Sequence, residues 1–372
     1  MRPKLRAFDL QPLGEGFWVR DPLNLSEGLV VSRLGLLLMS LMDGSMDLKD
    51  IRAEFFRRTG NLITEQELLE FVQDLDQALL LESDNFRRAF REAKEKVLAQ
   101  GVRAMSHVGE VYPPQEDQCR EFLQGEEKEK LNLLGLMVPH MDLRVARRTY
   151  WEGYGRVGTE KRLIVILGVS HYWHEMPFSV LPLDMQTPFG RLSTRRDLIE
   201  KLQSFYRFDL THDLLSYSME HSIEFASLYA KMLFPHAQAL AMIVSYGDKE
   251  LLRGLAQNLL RVLDDDIQSV LFISSVDLSH VGKKFGDARS FDPSFRDRTY
   301  LGLMEALQGE EAFNLLQKDG NYTRIDGQYV NLVFAHLLKL AGAREGQLFD
   351  YQQYYEESTD SIVSYATLGF RA

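Results

Sequence analysis

Apolar runs and amphipathic segments alternate along the chain from Leu131 onward. Four of the runs have the length and continuity of buried strands: 131–138, 162–169, 238–246 and 269–274. Two further segments, 249–263 and 328–340, have their apolar residues at helical spacing. Strands that alternate with helices predict an α/β fold with helices on both faces of a sheet.

The first 84 residues have a different pattern, which is mainly helical. We predict one helix over 26–42 and a second over 47–58. A third helix is predicted to open at Thr64, because Glu67 follows at the spacing of a capping box. Short helices of this kind are typical of a module the size of a winged helix.

Two short apolar runs flank these helices, GFWVR at 16–20 and ALLLES at 78–83, and we predict that they pair as strands. The charged stretch 85–104 is predicted to be a solvated linker helix, with Glu and Lys at helical spacing. Pro113-Pro114 then forbids helix continuation. The sequence therefore predicts three parts: residues 1–84, a linker at 85–104 and a larger domain at 105–372.

Three of the strand-like segments end on a histidine, at His140, His171 and His280. In open α/β sheets, ligands bind just beyond the carboxyl ends of the strands. A single histidine after a strand is more often a hydrogen-bonded loop residue. Three in the same structural position predict a cleft where they converge on a metal or a reacting group.

Carboxylates accompany these histidines. Asp277 stands three residues before His280, which suits either a general base with its orienting carboxylate or a supporting pair beside a metal. In the segment MEHSIEF, Glu220, His221 and Glu224 suit either a polar helical face in the pocket or the capped start of a helix. The spacing matches no short metal motif such as H-E-x-x-H. The remaining histidines are interpreted as structural or surface residues: His107, His174, His212, His236 and His336.

Composition narrows the function classes. The net charge of −11 argues against a large nucleic-acid interface. The single cysteine, Cys119, excludes an intramolecular disulfide framework and a cysteine-rich metal site. We find no signal-peptide pattern and no apolar run near the ~20 residues of a membrane span, so we expect a cytoplasmic protein without a membrane partner. The acidic run 264–266 is interpreted as a solvated turn.

Several short segments in this order resemble the Memo family, which includes the AmmeMemoRadiSam system protein B group. They are VYPP at 111–114, VPHMD at 138–142, LGVSH at 167–171, TPFG at 187–190, EHSIE at 220–224, SSVDLSH at 274–280 and a closing strand at 354–370. The resemblance covers about residues 105–372. It implies a three-layer α/β sandwich with a central mixed sheet, similar to class III extradiol dioxygenases.

The resemblance also implies a metal site. His140 and His171 correspond to the two histidines that hold iron in those dioxygenases. Memo proteins commonly place a cysteine at the third position, in a segment I-C-G, and here Asp326 stands in its place. Two imidazoles and a carboxylate favour iron(II), with zinc or copper as alternatives. The alternative for Asp326 is a turn residue before Gly327, with Glu224 or Asp277 as the carboxylate.

Two functions follow as expectations. The first is a metal-dependent, non-heme iron dioxygenase-like oxidoreductase, in which His280 is the acid/base, Asp277 orients it, and His221 and Glu224 line the pocket. The second is a non-catalytic Memo-type binding or scaffold protein.

The N-terminal region bears on the second function. It resembles the PqqD-like winged helix, a module that binds a peptide by adding a strand, and the alternative is a structural or dimerising winged helix. The family name also implies radical-SAM and AMMECR1-type partners.

Overall fold

The computed structural model describes residues 1–158, 160–263 and 267–372. These residues form two compact units, Met1–Gln100 and Gly101–Ala372. The acidic run 264–266 lies outside the described residues. Within the described part of the chain, no helix combines the length and apolarity needed to cross a membrane.

The first unit contains a small antiparallel sheet and four helices among its described residues. The strands, in sheet order, are β1 (Asp9–Leu13), β2 (Gly16–Arg20) and β3 (Leu29–Val31), and the helices are α1 (Arg33–Met39), α2 (Leu48–Thr59), α3 (Glu65–Gln77) and α4 (Asp84–Gln100). The predicted capping box at the start of α3 is present: Thr64 Oγ1 accepts the Glu67 N–H at 3.1 Å, and Glu67 Oε2 accepts the Thr64 N–H at 2.8 Å.

Two predictions for this unit are wrong. Residues 29–31 form β3, and α1 begins only after Ser32, whose Oγ accepts the Gly35 N–H at 3.1 Å. Adjacent β-branched Val30 and Val31 favour the strand over the predicted helix. The run 16–20 pairs with β1 and β3, not with 78–83, because the turn at Gly14 folds β1 back onto it as a local hairpin.

The predicted linker helix exists as α4 and belongs to the first unit. The Arg6 guanidinium lies 3.3 Å from the centre of the Phe86 ring on α4, and Arg6 also pairs with buried Asp21 at 3.3 Å. These contacts join α4 to the segments just before β1 and just after β2. Whether the unit is a winged helix related to PqqD stays a prediction.

The second unit is built on one large sheet. Its strands are β4 (Val102–Arg103), β5 (Leu133–Val138), β6 (Leu163–Gly168), β7 (Phe178–Val180), β8 (Asp184–Thr187), β9 (Gly190–Thr194), β10 (Gln238–Val244), β11 (Val270–Ser275), β12 (His280–Gly282), β13 (Glu345–Glu356) and β14 (Ser361–Arg371). Its helices are α5 (Glu116–Leu123), α6 (Leu143–Tyr154), α7 (Arg196–Gln203), α8 (His221–Leu233), α9 (Lys249–Val262), α10 (Ser294–Glu305), α11 (Gly309–Gln317) and α12 (Gln328–Leu340).

The sheet has the strand order β12-β14-β5-β11-β6-β10-β9-β8-β4, with β13 paired to β14 and β7 to β10. The central strands β5, β11, β6 and β10 are parallel, whereas β14 runs antiparallel to β5. This mixed sheet with its helices confirms the predicted α/β sandwich. All residues of β5, β6 and β11 are buried, as expected for parallel strands covered on both faces.

Helices cover both faces of the sheet, and alternate residues of β6 are buried on opposite faces. Val165 and Leu167 of β6 pack in one core cluster with residues of α9 and α12, such as Leu255 and Val333. The intervening Ile166 is fully buried outside that cluster. Helices α6 and α8 contact each other through stacked tyrosines, with the Tyr154 and Tyr229 ring centres 4.5 Å apart.

Gly168, the last residue of β6, permits a close approach that positions the site. A Cβ at this position would lie 2.5 Å from Ser222 Oγ and 2.8 Å from Ile223 Cδ1. The first turn of α8 therefore packs directly on the end of β6. This contact brings His221 beside the loop that carries His171.

We expect Gly168→Ala to destabilise the second unit by roughly 1–3 kcal/mol, because the added methyl must displace the first turn of α8. The measurement is urea-induced unfolding. Gly254→Ala in α9 is the matched control, since a Cβ there meets nothing within 4 Å. That control should be neutral or stabilising by up to about 1 kcal/mol. Equal stability of the two variants would contradict the packing argument.

Candidate metal centre

The carboxyl ends of three adjacent parallel strands converge on the site. His140 follows β5 by two residues, His171 follows β6 by three, and Asp277 follows β11, which lies between them. Because parallel strands end at the same edge of a sheet, these loops meet. His221, the first residue of α8, lies beside these loops.

Three histidines present ligand atoms to one another at this edge. The ring nitrogens of His140, His171 and His221 include a set that lies within 4.8 Å of one another, which is close enough to hold a metal ion. The ring centres are 4.7 Å apart for His140 and His171, 5.1 Å for His140 and His221, and 4.3 Å for His171 and His221. His221, which the sequence placed in the pocket lining, is thus a member of the cluster.

His140 is buried and held from two sides. Its Nδ1 lies 3.2 Å from the Ser275 carbonyl oxygen, and its Nε2 lies 2.9 Å from Asp326 Oδ2. Its backbone N–H donates to Asp277 Oδ1 at 3.1 Å. Burial acts to lower the pKa of His140, but the charges of Asp277 and Asp326 outweigh it and raise the pKa to about 10. The surroundings of this imidazole therefore favour positive charge.

Glu220 orients His171. The Nδ1 of His171 lies 3.0 Å from Glu220 Oε1, and the His171 backbone N–H donates to Glu220 Oε2 at 2.9 Å. Glu220 also accepts the Ser222 N–H at 2.9 Å, so it caps α8 as well. Burial acts to raise the pKa of Glu220, yet the contacts with His171 hold it well below its usual range. Glu220 therefore both caps the start of α8 and contacts a histidine of the site, so the two interpretations of this segment both apply to it.

His221 is held mainly by packing. Its Nδ1 is 3.8 Å from Glu220 Oε1, beyond hydrogen-bonding distance. Burial, together with the neighbouring imidazoles of His140 and His171, lowers the pKa of His221 well below its usual value. The ring is therefore neutral at physiological pH. A neutral imidazole keeps a lone pair that can bind a cation.

Asp326 lies where the sequence predicts it, beside His140. Its Oδ1 accepts the Asp277 N–H at 3.0 Å, whereas Oδ2 is buried and lies 2.9 Å from His140 Nε2, with no other donor among the described residues. The residue also stands in a turn before Gly327, where a Cβ would meet Val276 at 2.7 Å. Asp326 is therefore a turn residue whose Oδ2 faces the His140 ring at the site. Its role as a metal ligand stays a prediction.

Asp277 does not orient His280, contrary to the prediction from the sequence. The carboxylate of Asp277 accepts the backbone N–H groups of His140 and Met141, whereas His280 Nδ1 faces the carbonyl oxygens of Leu278 at 2.9 Å and Arg324 at 3.1 Å. Backbone carbonyls, not Asp277, therefore orient His280. Burial raises the pKa of Asp277, which the charge of His140 opposes. The role of His280 as acid/base stays a prediction.

Glu224 does not line the pocket as predicted, because its carboxylate is used to anchor residues 103–112. It pairs with Arg103 Nη1 at 2.7 Å and accepts the Tyr112 hydroxyl at 2.7 Å and the backbone N–H of Ser106 at 3.1 Å. Burial acts to raise the pKa of Glu224, but contacts with His107 and Arg103 hold it well below its usual range. Glu224 is an ionised structural carboxylate.

His107 is a site neighbour that the sequence analysis interpreted as structural or surface. Its ring centre lies 5.9 Å from that of His221 and 5.5 Å from that of Phe225. It sits in a loop rather than after a buried strand, so the strand-then-histidine pattern did not indicate it. The only local feature that could have indicated His107 is the adjacent Ser106. A serine beside a histidine is too common in loops to indicate a site residue.

Comparisons with known proteins agree with the resemblance noted above. Residues 103–369 match the family described as Memo-like protein. A MEMO1 family protein of Aquifex aeolicus (strain VF5) is 48% identical over 374 residues, covering 100% of both chains. A MEMO1 family protein of Thermus thermophilus is 31% identical and covers 86% of this chain and 98% of its own. An uncharacterized protein of Escherichia coli K12 aligns with a TM-score of 0.36 and 12% identity over 64% of this chain and 99% of its own.

We expect Glu224→Ala to destabilise the second unit by about 3–5 kcal/mol, because it leaves the buried Arg103 guanidinium without its charge partner. Chemical denaturation measures the change. The matched control is Glu116→Ala in α5, which removes an exposed ion pair with Arg120. That change should cost less than about 1 kcal/mol. A stable Glu224→Ala protein would return Glu224 to the list of pocket residues.

Proposed function

The chain belongs to the family of Memo-like proteins, and on that premise we propose that it is a metal-dependent, dioxygenase-like oxidoreductase. The metal would be held by His140, His171 and His221, with the carboxylate of Asp326 as a further donor. Such an ion would act as a Lewis acid, and iron would also support one-electron redox chemistry.

One observation supports this proposal above the others: the imidazoles of His140 and His171 are each anchored through Nδ1 to an acceptor. The acceptors are the Ser275 carbonyl and the Glu220 carboxylate. In the neutral ring, an anchored Nδ1–H leaves the lone pair on Nε2, the nitrogen that metal-binding histidines commonly offer when the other is hydrogen-bonded. A metal would therefore displace the second proton that the surroundings of His140 favour. Asp326 Oδ2, which lies 2.9 Å from His140 Nε2 and has no other donor among the described residues, fits the same ion.

The donor atoms favour iron(II) over softer ions. Three imidazoles and one carboxylate suit borderline divalent metals, and the carboxylate is typical of non-heme iron. No thiolate joins the set: Cys119 lies on α5, and burial raises the pKa of its thiol to about 12. Zinc and copper remain the alternatives.

The chain's own residues would prepare the site for an oxidisable substrate. Glu220 and Asp277 fix the loops of His171 and His140 through backbone and ring contacts. His280 has its Nδ1 bound to carbonyl oxygens, which leaves Nε2 as the basic nitrogen for proton transfer.

A second candidate function is peptide recognition by the first unit, with the Memo-like unit as a scaffold. Strand β1 favours it, because all five of its residues are exposed and it forms an edge of the three-stranded sheet. An exposed edge strand can accept a peptide as an additional strand.

For the metal site, anaerobic titration with iron(II) is the decisive measurement. We expect His140→Ala and His171→Ala to weaken binding by more than about 100-fold, since even the loss of an outer partner costs about 10–100-fold. His221→Ala and Asp326→Ala should each weaken it as well, and the size of each loss shows how much that residue contributes to metal binding. His236→Ala is the control, because His236 is exposed.

Unchanged affinity in Asp326→Ala would remove Asp326 as a ligand. If the wild-type protein binds neither iron(II) nor zinc nor copper, the metal-dependent enzyme is excluded and the scaffold function is left.

For peptide recognition, a library of displayed random peptides selected on the full chain is the probe. A selected peptide should slow amide hydrogen exchange in β1, because added backbone hydrogen bonds protect the strand. Protection elsewhere without any change in β1 would contradict this function.

A further inference from the structure

A short turn over residues 282–287 carries Phe285 against the ring of His280. The two ring centres are 5.1 Å apart, and the ring planes meet at 82°. Phe285 also lines a cavity of about 440 Å³, as does Val363, which stands opposite His280 in the pairing of β14 with β12. His280 itself does not line this cavity. The Phe285 ring therefore lies between the cavity and His280.

The cavity lies between the start of α6 and strands β13 and β14, next to the candidate metal centre. Met141, at its border, directly follows His140 in the chain. Tyr354 lines it from β13. A molecule in the cavity would thus be close to the metal centre and would reach His280 past the Phe285 ring.

The base of the turn is firmly held. The backbone N–H of Asp287 donates to the Gly282 carbonyl oxygen at 3.1 Å, and Asp287 Oδ2 accepts the Gly282 N–H at 2.8 Å. The guanidinium of Arg324 donates to the same carboxylate at 2.9 Å and 3.0 Å. Gly282 also packs closely on the start of β14, since a Cβ there would lie 2.3 Å from the Asp360 carbonyl oxygen. The two ends of the turn are therefore fixed in place.

The tip of the turn, residues 283–285, is held more weakly. The Lys284 N–H donates to Ser361 Oγ at 3.0 Å, and the Lys283 N–H donates to a backbone carbonyl just before β14 at 3.3 Å. Both lysine ammonium groups make ion pairs, but the two side chains are more than half exposed, and exposed ion pairs contribute little. Gly286, with a φ of +90°, gives the tip a backbone position that rotates easily.

We propose that residues 283–285 are a gate, hinged at Gly282 and Gly286, through which a molecule in the cavity reaches His280. The gate is closed in this structure, with the Phe285 ring on the imidazole. Opening turns the tip away from the fixed base and uncovers the imidazole. The inference goes beyond the proposed function, and its test requires no metal.

Gly286→Ala tests the hinge. A Cβ at this position meets nothing within 4 Å, so the substitution adds only the strain of an L residue in a left-handed conformation. That strain belongs to the closed position and should favour opening by about 5–30-fold. Two rates should rise by this factor: amide hydrogen exchange over residues 283–287, and modification of the His280 imidazole by diethyl pyrocarbonate, located by mass spectrometry.

Gly342→Ala is the matched control, because Gly342 has a φ of +95° and a Cβ there also meets nothing within 4 Å. It lies between α12 and β13 and should change neither rate. Exposed His236 is the reference for modification in every variant. Faster exchange without faster modification of His280, no change in either rate, or an equal rise in Gly342→Ala overturns the gate.

Phe285→Ala tests the ring. Without the ring, His280 should be modified at least as fast as in Gly286→Ala. Adding Gly286→Ala to Phe285→Ala should then have no further effect, because no ring is left to move aside. A further increase of the same size would show that another group covers His280, and it overturns the inference. Failure of the protein to bind any metal would overturn the proposed function, yet these rates would still report on the gate.

Discussion

Buried carboxylates at the carboxyl edge of the sheet are the constraint on which the rest of the site depends. Glu220, Glu224 and Asp277 are at most 3% exposed, and a buried carboxylate is strongly destabilising unless donors satisfy it. Each of the three receives the backbone N–H of a histidine: His171, His107 and His140, respectively. The carboxylates thereby fix the loops that carry the imidazoles, and the geometry of the centre follows from this pairing.

The same carboxylates give the centre its electrostatic character. Asp277 and Asp326 surround His140 and raise its pKa, while burial and the neighbouring imidazoles lower the pKa of His221. Negative charge on one side of the cluster and neutral imidazole on the other is an arrangement that binds a cation. Arg103 balances Glu224 at 2.7 Å, so the region of His107 is less negative than that of His140.

Sequence reasoning predicted the parts of this site that depend on strand ends. His140 and His171 follow continuous apolar runs, and that position alone indicated their edge of the sheet. The roles of His221 and His107 depend on how α8 and the 103–112 loop pack, and such long-range contacts leave no local pattern. Asp277 was assigned to the nearest histidine in sequence, His280, although the nearer one in space is His140.

The first unit shows the same limit. The capping box at Thr64 is a local interaction between residues three apart, and it could be predicted from sequence. Strand β3 and helix α1 are adjoining apolar segments that periodicity alone did not separate. The predicted partner of β2 was also wrong. A short turn decides that β2 pairs with β1 and not with the distant run 78–83.

The strand order has a consequence for how the chain acquires its centre. Strand β11 lies between β5 and β6, although it follows both in the sequence by about 100 residues or more. During synthesis, β5 and β6 therefore emerge before the strand that joins them. Their facing edges stay unpaired until β11 has been made. Pairing of strands that are far apart in the sequence is slow, and a chain with unpaired strand edges is prone to aggregation. The histidines that follow β5 and β6 are held side by side only once β11 has paired with both strands.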